Sequence, residues 1–133
     1  GSNNYKNKKL TNYIFSNSFV KEIINPNDEL LDYLYRECTS LILLSFDEGF
    51  GIPVIEAAAR SRKIILSNIP VFREIAPKNT LMLDLKRNVD HIELVHEYLN
   101  KKSKFDSQNI LKKWTWRKSA LKLKKLLLNQ LLK

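Results

Sequence analysis

The chain has 133 residues, of which 44% are hydrophobic and 28% are charged, a composition typical of one folded domain rather than of a disordered chain. No apolar run approaches the ~20 residues of a membrane-spanning helix, and a single cysteine excludes an internal disulfide framework and favours a cytoplasmic, reducing location. A net charge of +9 indicates anionic partners, namely nucleotide phosphates, a lipid surface or nucleic acid.

The start of the chain is polar and lacks the apolar stretch of a secretory signal. Gly1-Ser2 resembles the remnant of an expression tag, and we expect residues 1–10 to form a flexible tail before one domain over residues 11–133. A β-branched and aromatic segment of unclear register lies within residues 12–24. Pro26-Asn27-Asp28 then offers an N-cap for a helix with apolar residues at helical spacing, which ends near Cys38.

The middle of the chain alternates strands and helices. Three apolar runs have the length of strands: residues 40–45, 63–67 and 80–83. The first is continuously apolar, as expected for a strand buried on both faces of a parallel sheet. Helices are predicted from Pro53, from Pro70, over residues 90–100 and over residues 115–131. This order predicts an α/β fold, a Rossmann-like three-layer sandwich with a mostly parallel sheet and a C-terminal helix, whose ligands bind at the carboxyl ends of the strands.

The most informative stretch is residues 45–59, between the first predicted strand and the helix that follows it. Its two glycines allow the backbone to approach a ligand closely, and free N–H groups in the turn at Ile52 suit a phosphate. Glu48 precedes this loop and Glu56 lies in the first turns of the helix. A carboxylate is a poor phosphate ligand, so both are better suited to sugar hydroxyls. The pattern predicts a ligand that carries both phosphate and hydroxyl groups.

Glu48 and Glu56 are separated by seven residues around a Gly-aromatic-Gly loop, and in this the sequence resembles the family-4 class of retaining glycosyltransferases. The helix around residues 28–35, the segment 67–75 and Trp116 at the opening of the terminal helix match that family as well. The resemblance covers roughly residues 23–127. It implies the C-terminal, donor-binding half of an enzyme with two Rossmann-like domains (the GT-B fold), the N-terminal domain of which would bind a glycan or lipid-linked acceptor.

The resemblance also implies roles for individual residues. Glu48 would be the catalytic residue in contact with the transferred sugar, and Glu56 would bind the ribose hydroxyls of a nucleotide-sugar donor. Backbone N–H groups would be offered to the sugar and diphosphate by Gly49, Phe50, Gly51 and Ile52. No metal or other cofactor is needed in this scheme, because fixed dipoles and cationic side chains stabilise the leaving group. An Arg and Lys pair upstream of this chain would supply many of those cations, so the isolated chain is expected to be inactive.

After the alanine-rich helix the chain departs from the family, which usually has a small residue, Gly and then Pro. This chain has Arg60-Ser61-Arg62-Lys63, so the turn into the next strand must be built differently. That departure favours an alternative function, a non-catalytic nucleotide-sugar-binding or scaffold module. A basic nucleic-acid-binding domain is a weaker alternative, because no interleaving of aromatic and basic residues supports it. We therefore expect no nucleic acid among the partners.

Structural roles stay open for several of these residues. Glu56 could stabilise its helix N-terminus through the macrodipole, and Glu48 could be an exposed loop charge. His91 and His96 stand five apart on a predicted helix, on different faces, and no metal site is expected. Cys38 is interpreted as a buried structural thiol.

The terminal helix carries an apolar arc much wider than the ~100° stripe that one-sided packing needs. The arc consists of Ala120, Leu121, Leu123, Leu126, Leu127, Leu128, Leu131 and Leu132. We expect part of it to belong against the missing N-terminal domain and to be exposed in this chain, which favours self-association. Lys118, Lys122 and Lys125 form a basic stripe, interpreted either as a solvated face or as a surface for peripheral contact with anionic lipid.

Overall fold

The computed structural model describes residues 8–87, 90–102 and 112–131. By its internal contacts the chain divides into two compact units, Gly1–Leu34 and Tyr35–Lys133. The elements are α1 (Lys8–Ser16), α2 (Asp28–Glu37), β1 (Ser40–Leu43), α3 (Ile52–Ala59), β2 (Lys63–Ser67), α4 (Pro70–Ile75), β3 (Leu81–Leu83), α5 (His91–Asn100) and α6 (Trp116–Leu131). No helix in the described ranges combines the length and the apolar character needed to cross a bilayer.

The described part of the first unit opens with the helix α1. α1 starts at Lys8, so residues 8–10 of the expected tail are helical, while residues 1–7 lie outside the described part. The segment 12–24, all of which is described, contains no strand. At the start of α2 the Asn27 carboxamide oxygen accepts a 2.9 Å hydrogen bond from the Leu30 N–H, which confirms the predicted N-cap.

The second unit is built on a parallel sheet with the strand order β1-β2-β3. Ser40 of β1 pairs with Lys63, and Ile65 pairs with Leu81 of β3. The middle strand β2 spans the residues predicted from the sequence, and its Ile64, Ile65 and Leu66 are fully buried. The helices α3 and α4 connect successive parallel strands. The predicted α/β fold with a parallel sheet and a C-terminal helix is therefore confirmed.

The first strand differs from the expectation that it is buried on both faces. β1 is an edge strand, with β2 as its neighbour in the described sheet. Ile42 is 53% exposed, and Leu44, two residues further on, is 45% exposed. Because alternate residues of a strand share a face, one face of β1 is open in this unit. A run of apolar residues predicts a strand but does not tell a central position from an edge.

Small side chains on α3 bring it close to the sheet. Val54, Ala57 and Ala58 are buried, and α3 contacts both β1 and β2. Phe72 and Ile75 of α4 complete the buried core. α3 begins with proline in its first turn, as predicted, because a helix needs no hydrogen bond from the N–H that proline lacks at that position. The helix is thereby fixed with its N-terminus at the loop that follows β1.

The turn between α3 and β2, residues 60–63, is built without the glycine and proline that are usual in the family this sequence resembles. Ser61 takes up the left-handed backbone, with φ of 57°, that a glycine would otherwise supply. The Arg60 guanidinium donates a 3.0 Å hydrogen bond to the Glu56 carbonyl, and the Arg62 guanidinium donates a 3.3 Å bond to the Cys38 carbonyl. Two of the basic side chains therefore close the turn against backbone carbonyls.

Lys63 ends the same turn and reaches the last turn of α5. Its ammonium donates hydrogen bonds to the carbonyls of Tyr98, Leu99 and Lys101. Next to it, the Ile64 N–H donates a 3.1 Å bond to the Tyr98 hydroxyl. A cation at a helix C-terminus satisfies carbonyls that have no partner within the helix and interacts favourably with the helix dipole. Lys63 therefore anchors α5 to the start of β2.

The terminal helix α6 has the breadth of exposed apolar surface that the sequence predicts. The exposed leucines, between 47% and 58% accessible, are Leu121, Leu123, Leu126, Leu127 and Leu128. The three lysines of the basic stripe are also exposed. The side chains of Trp116 and Leu131, and residue 132, lie outside the described part. The described portion of α6 thus presents a mixed apolar and basic surface to solvent.

Candidate functional site

The loop from Ser45 to Gly51 leaves the carboxyl end of β1, where the parallel fold places ligands. Its start is tied to the middle of the sheet, because the hydroxyl of Ser67, the last residue of β2, donates a hydrogen bond to the Ser45 carbonyl. Ser67 is only 1% exposed, and it is the buried polar residue of the described core. This bond satisfies the buried hydroxyl and holds the first residue of the loop at the strand ends.

The two glycines of the loop have different structural requirements. Gly51 is the N-cap of α3 with φ of 81° and ψ of 49°, and a Cβ there would lie 2.9 Å from Ile75 Cδ1 and 3.0 Å from Phe72 Cε1. A Cβ at Gly49 would meet no heavy atom of the described chain within 4 Å. The fold therefore requires glycine at position 51, whereas position 49 opens onto space that a ligand can fill.

The N-terminus of α3 offers backbone donors. Gly51 makes no side-chain capping bond, and the Val54 N–H bonds to the Gly51 carbonyl at 3.0 Å. Ile52 is the first helical residue, so its N–H belongs to the donors that lack a partner within a helix. Such a helix start attracts anions through its N–H groups and the positive end of the helix dipole.

One of the predicted donors is already engaged. The Gly49 N–H donates a 3.1 Å hydrogen bond to Glu48 Oε1, and the Glu48 N–H donates a 2.9 Å bond to Asp47 Oδ1. The Glu48 side chain is half-buried and turned onto its own loop. A ligand that uses the Gly49 N–H must displace this carboxylate, so the ligand and Glu48 compete for the same donor.

Glu56 is held by a partner that the sequence did not reveal. The Tyr35 hydroxyl donates a 2.9 Å hydrogen bond to Glu56 Oε2, across 21 residues of sequence. Tyr35 is 9% exposed, and burial, followed by the hydrogen bond and the charge of Glu56, raises the pKa of its phenol well above the usual range. Tyr35 therefore stays a proton donor throughout the physiological pH range. Its position at the end of the apolar face of α2 was the available sequence signal, but that signal equally predicts a simple core residue.

A cavity of about 550 Å³ opens beside Glu56. Its lining residues are Phe50, Ile52, Ile55, Glu56, Trp114, Thr115 and Ser119. The Phe50 and Trp114 rings meet edge to face with centroids 5.3 Å apart, so the loop contacts the residues that precede α6. The structure thus brings three predicted site residues, Phe50, Ile52 and Glu56, to one cavity. Glu48 is not among the described residues that line it.

The remaining candidates are not assembled into a site. Within the described ranges, no group of three or more His, Cys, Asp or Glu residues could hold a metal ion. Cys38 is half-buried rather than fully buried, with its Sγ 3.6 Å from the Tyr35 carbonyl. Lys113 contacts the Trp114 ring at 5.0 Å and donates a 3.3 Å hydrogen bond to the Glu74 carbonyl. These contacts support packing at the start of the terminal segment.

Comparison with known proteins places this loop and helix in a family. The model of the glycosyl transferases group 1 matches residues 19–113, which include β1, the loop, α3 and β2. The serotype-specific mannosyltransferase WbdA of Escherichia coli is 36% identical over 117 residues, which cover 85% of this chain and 14% of that protein. No solved structure matches the chain.

Two other relatives agree with this family. The O-antigen chain mannosyltransferase RfbU of Salmonella typhimurium is 44% identical over 54 residues, covering 41% of this chain and 15% of the relative. A glycosyltransferase of Methanocaldococcus jannaschii is 28% identical over 131 residues, covering 89% of this chain and 36% of the relative. The chain thus spans a minor part of the length of each of these relatives. With most of its residues matched by the family model, the chain belongs to the group 1 glycosyl transferases.

Proposed function

We propose that this chain is the donor-binding domain of a retaining glycosyltransferase with two Rossmann-like domains, which transfers a sugar from a nucleotide-sugar to an acceptor. The observation that carries the proposal is the arrangement of Glu48 and Glu56 on either side of the N-terminus of α3. That helix start supplies backbone donors for a diphosphate, and the two carboxylates supply acceptors for hydroxyls. A nucleotide-sugar carries both kinds of group.

In the proposed complex, Glu56 accepts hydrogen bonds from the ribose hydroxyls at the edge of the cavity. The diphosphate lies against the N–H groups of Gly51 and Ile52, where the helix dipole stabilises the negative charge that grows as the sugar departs. Glu48 turns from the Gly49 N–H to a hydroxyl of the transferred sugar. In the transfer step the bond from the anomeric carbon to the diphosphate oxygen breaks, and a bond to the acceptor oxygen forms on the same face of the sugar, with loss of the acceptor proton.

The names of two relatives favour mannose as the transferred sugar. WbdA and RfbU are both described as mannosyltransferases, and RfbU acts on an O-antigen chain. We infer by analogy that the donor is a nucleotide-linked mannose and that the acceptor is a growing glycan bound by another domain. The reaction proceeds without metal in this proposal, because the helix N-terminus and cationic side chains stabilise the leaving diphosphate.

The experiment is calorimetry of the chain with uridine, guanosine and adenosine diphosphates and with their mannose and glucose derivatives, each with and without a chelator. We expect weak binding that the chelator leaves unchanged and that is tighter for mannose than for glucose derivatives of the same nucleoside. Binding that disappears with the chelator would contradict the metal-independent mechanism. Equal binding of mannose and glucose derivatives would contradict the inferred sugar.

The alternative of a non-catalytic module rested on the unusual turn at residues 60–63. In the structure Ser61 and the hydrogen bonds of Arg60 and Arg62 build that turn within the fold, at the opposite end of α3 from the loop that carries Glu48. The departure from the family pattern therefore no longer favours that alternative. Transfer of labelled sugar by the full-length protein separates the two functions, because a scaffold module binds the donor without turnover.

A further inference from the structure

Tyr35 has the contacts of a residue that positions the proposed ribose-binding carboxylate. It is the buried residue of α2, and its hydroxyl lies 2.9 Å from Glu56 Oε2. A hydrogen bond from a neutral hydroxyl to a carboxylate is charge-assisted and stronger than one between neutral groups. One oxygen of Glu56 is therefore directed by a side chain that is itself fixed in the core.

The Tyr35 ring is held from a second direction. The Arg60 guanidinium carbon lies 5.4 Å from the ring centroid, within the range of a cation–π interaction. The same guanidinium donates a 3.0 Å hydrogen bond to the Glu56 carbonyl. Arg60 thus contacts both members of the pair, through the ring of one and the backbone of the other. Tyr35, Glu56 and Arg60 form a closed set of contacts at the second half and C-cap of α3, which we call the Tyr35 clamp.

The Tyr35 clamp leaves acceptor capacity on Glu56. A carboxylate has two oxygens and about four lone-pair sites, of which the Tyr35 hydroxyl occupies one. Glu56 also lines the cavity, so a ligand that lies there is next to a residue with acceptor capacity to spare. A carboxylate fixed in this way accepts hydrogen bonds from a diol without first losing rotamer freedom, which reduces the cost of binding.

We propose that Tyr35 is a positioning residue that presents Glu56 to the two ribose hydroxyls of the nucleotide and so contributes to selection of ribonucleotides. This inference rests on the proposed function, because it assigns the diol to the ribose of the donor. Tyr35 acts through Glu56 and makes no contact of its own with the ligand. Its effect is therefore confined to ligands that carry the ribose hydroxyls.

Calorimetry with guanosine diphosphate and uridine diphosphate, each beside its 2′,3′-dideoxy counterpart, tests this inference. We expect Tyr35→Phe to weaken binding of the two ribonucleotides by about threefold to tenfold, which is less than the effect of losing a direct hydrogen bond to a charged group. Binding of the dideoxynucleotides should change by less than about twofold. In a Glu56→Ala background, Tyr35→Phe should add no further loss. Equal loss for ribo- and dideoxynucleotides, or no loss for either, would overturn the inference.

Tyr98→Phe is the matched control. Tyr98 is half-buried, whereas Tyr35 is buried, and the Tyr98 hydroxyl accepts a hydrogen bond from the Ile64 backbone rather than bonding to a carboxylate. Loss of the Tyr98 hydroxyl should leave ribonucleotide binding unchanged. If Tyr98→Phe weakens ribonucleotide binding as much as Tyr35→Phe does, both losses reflect a general destabilisation of the fold, and the inference is overturned. If Tyr35→Phe does not fold, Arg60→Gln provides the second variant. It should weaken ribonucleotide binding by a smaller factor and leave dideoxynucleotide binding unchanged. Equal weakening of both kinds of nucleotide by Arg60→Gln would also contradict the role of the Tyr35 clamp. If the wild-type chain binds ribo- and dideoxynucleotides equally, the assignment of Glu56 to ribose fails while nucleotide binding stands. If the chain binds neither, the proposed function itself fails.

Discussion

Replacing Gly51 by alanine should destabilise the second unit. With φ of 81°, Gly51 lies in the left-handed region, where a residue with a side chain costs about 1–2 kcal/mol. The new Cβ would also lie 2.9 Å from Ile75 Cδ1 and 3.0 Å from Phe72 Cε1. Both of those side chains are buried, so they cannot move away without disturbing the core, and overpacking of this kind costs about 1–3 kcal/mol. The expected loss is therefore about 2–5 kcal/mol of the free energy of unfolding.

Gly49→Ala is the control for this prediction, because the added Cβ would meet no described atom within 4 Å and Gly49 has no positive φ. We expect its free energy of unfolding to stay within about 0.5 kcal/mol of wild type. Urea denaturation followed by circular dichroism measures both variants, as a shift of midpoint at constant slope. Equal midpoints for the two variants would refute the reasoning. If a ligand fills the space at Gly49, the Gly49→Ala variant should bind nucleoside diphosphate more weakly although it is as stable as wild type.

Three further predictions concern the site, the turn after α3 and the terminal helix. Glu56→Ala should weaken binding of free nucleoside diphosphate, measured by calorimetry, by roughly tenfold to hundredfold. Glu48→Ala should leave this binding unchanged or tighten it, because the substitution frees the Gly49 N–H. Equal losses for the two variants would refute the assigned roles. Ser61→Gly should stabilise the chain by about 0.5–1 kcal/mol in thermal unfolding, since Ser61 has φ of 57°, and a lower melting temperature would contradict this account of the turn. The chain should self-associate through the exposed face of α6, which light scattering measures as a mass above that of the monomer. Leu123→Gln combined with Leu127→Gln should lower this mass. An unchanged mass would show that the chains associate through another surface.

Local sequence signals predicted the elements of the second unit well. β2 and α4 occupy the predicted residues, because a short β-branched run and a proline at a helix start each act within a few residues. The N-cap at Asn27 was predictable for the same reason. The exposure of Ile42 was not, because a strand's place in the sheet depends on which other strands are present. The helix α1 was missed because its polar start resembles a tail.

For the candidate site, the sequence indicated where to look but not which contacts its carboxylates make. The seven-residue spacing of Glu48 and Glu56 led to the loop and to α3, and Glu56 does line a cavity there. The partners of those carboxylates could not be predicted. Tyr35 and Glu56 are 21 residues apart in sequence, and they meet only because the end of α2 lies next to α3 in the second unit. Glu48 turns onto Gly49, a contact between neighbours that depends on the loop conformation rather than on residue type.

The basic side chains of the turn between α3 and β2 each make a contact outside the turn. Arg60 reaches the Tyr35 ring, Arg62 reaches the Cys38 carbonyl, and Lys63 reaches the end of α5. A glycine and a proline at this place would form the turn but could make none of those side-chain contacts. Replacing Arg60, Arg62 or Lys63 by the residues common in the family would therefore remove a different contact in each case, two near the end of α2 and one at the end of α5.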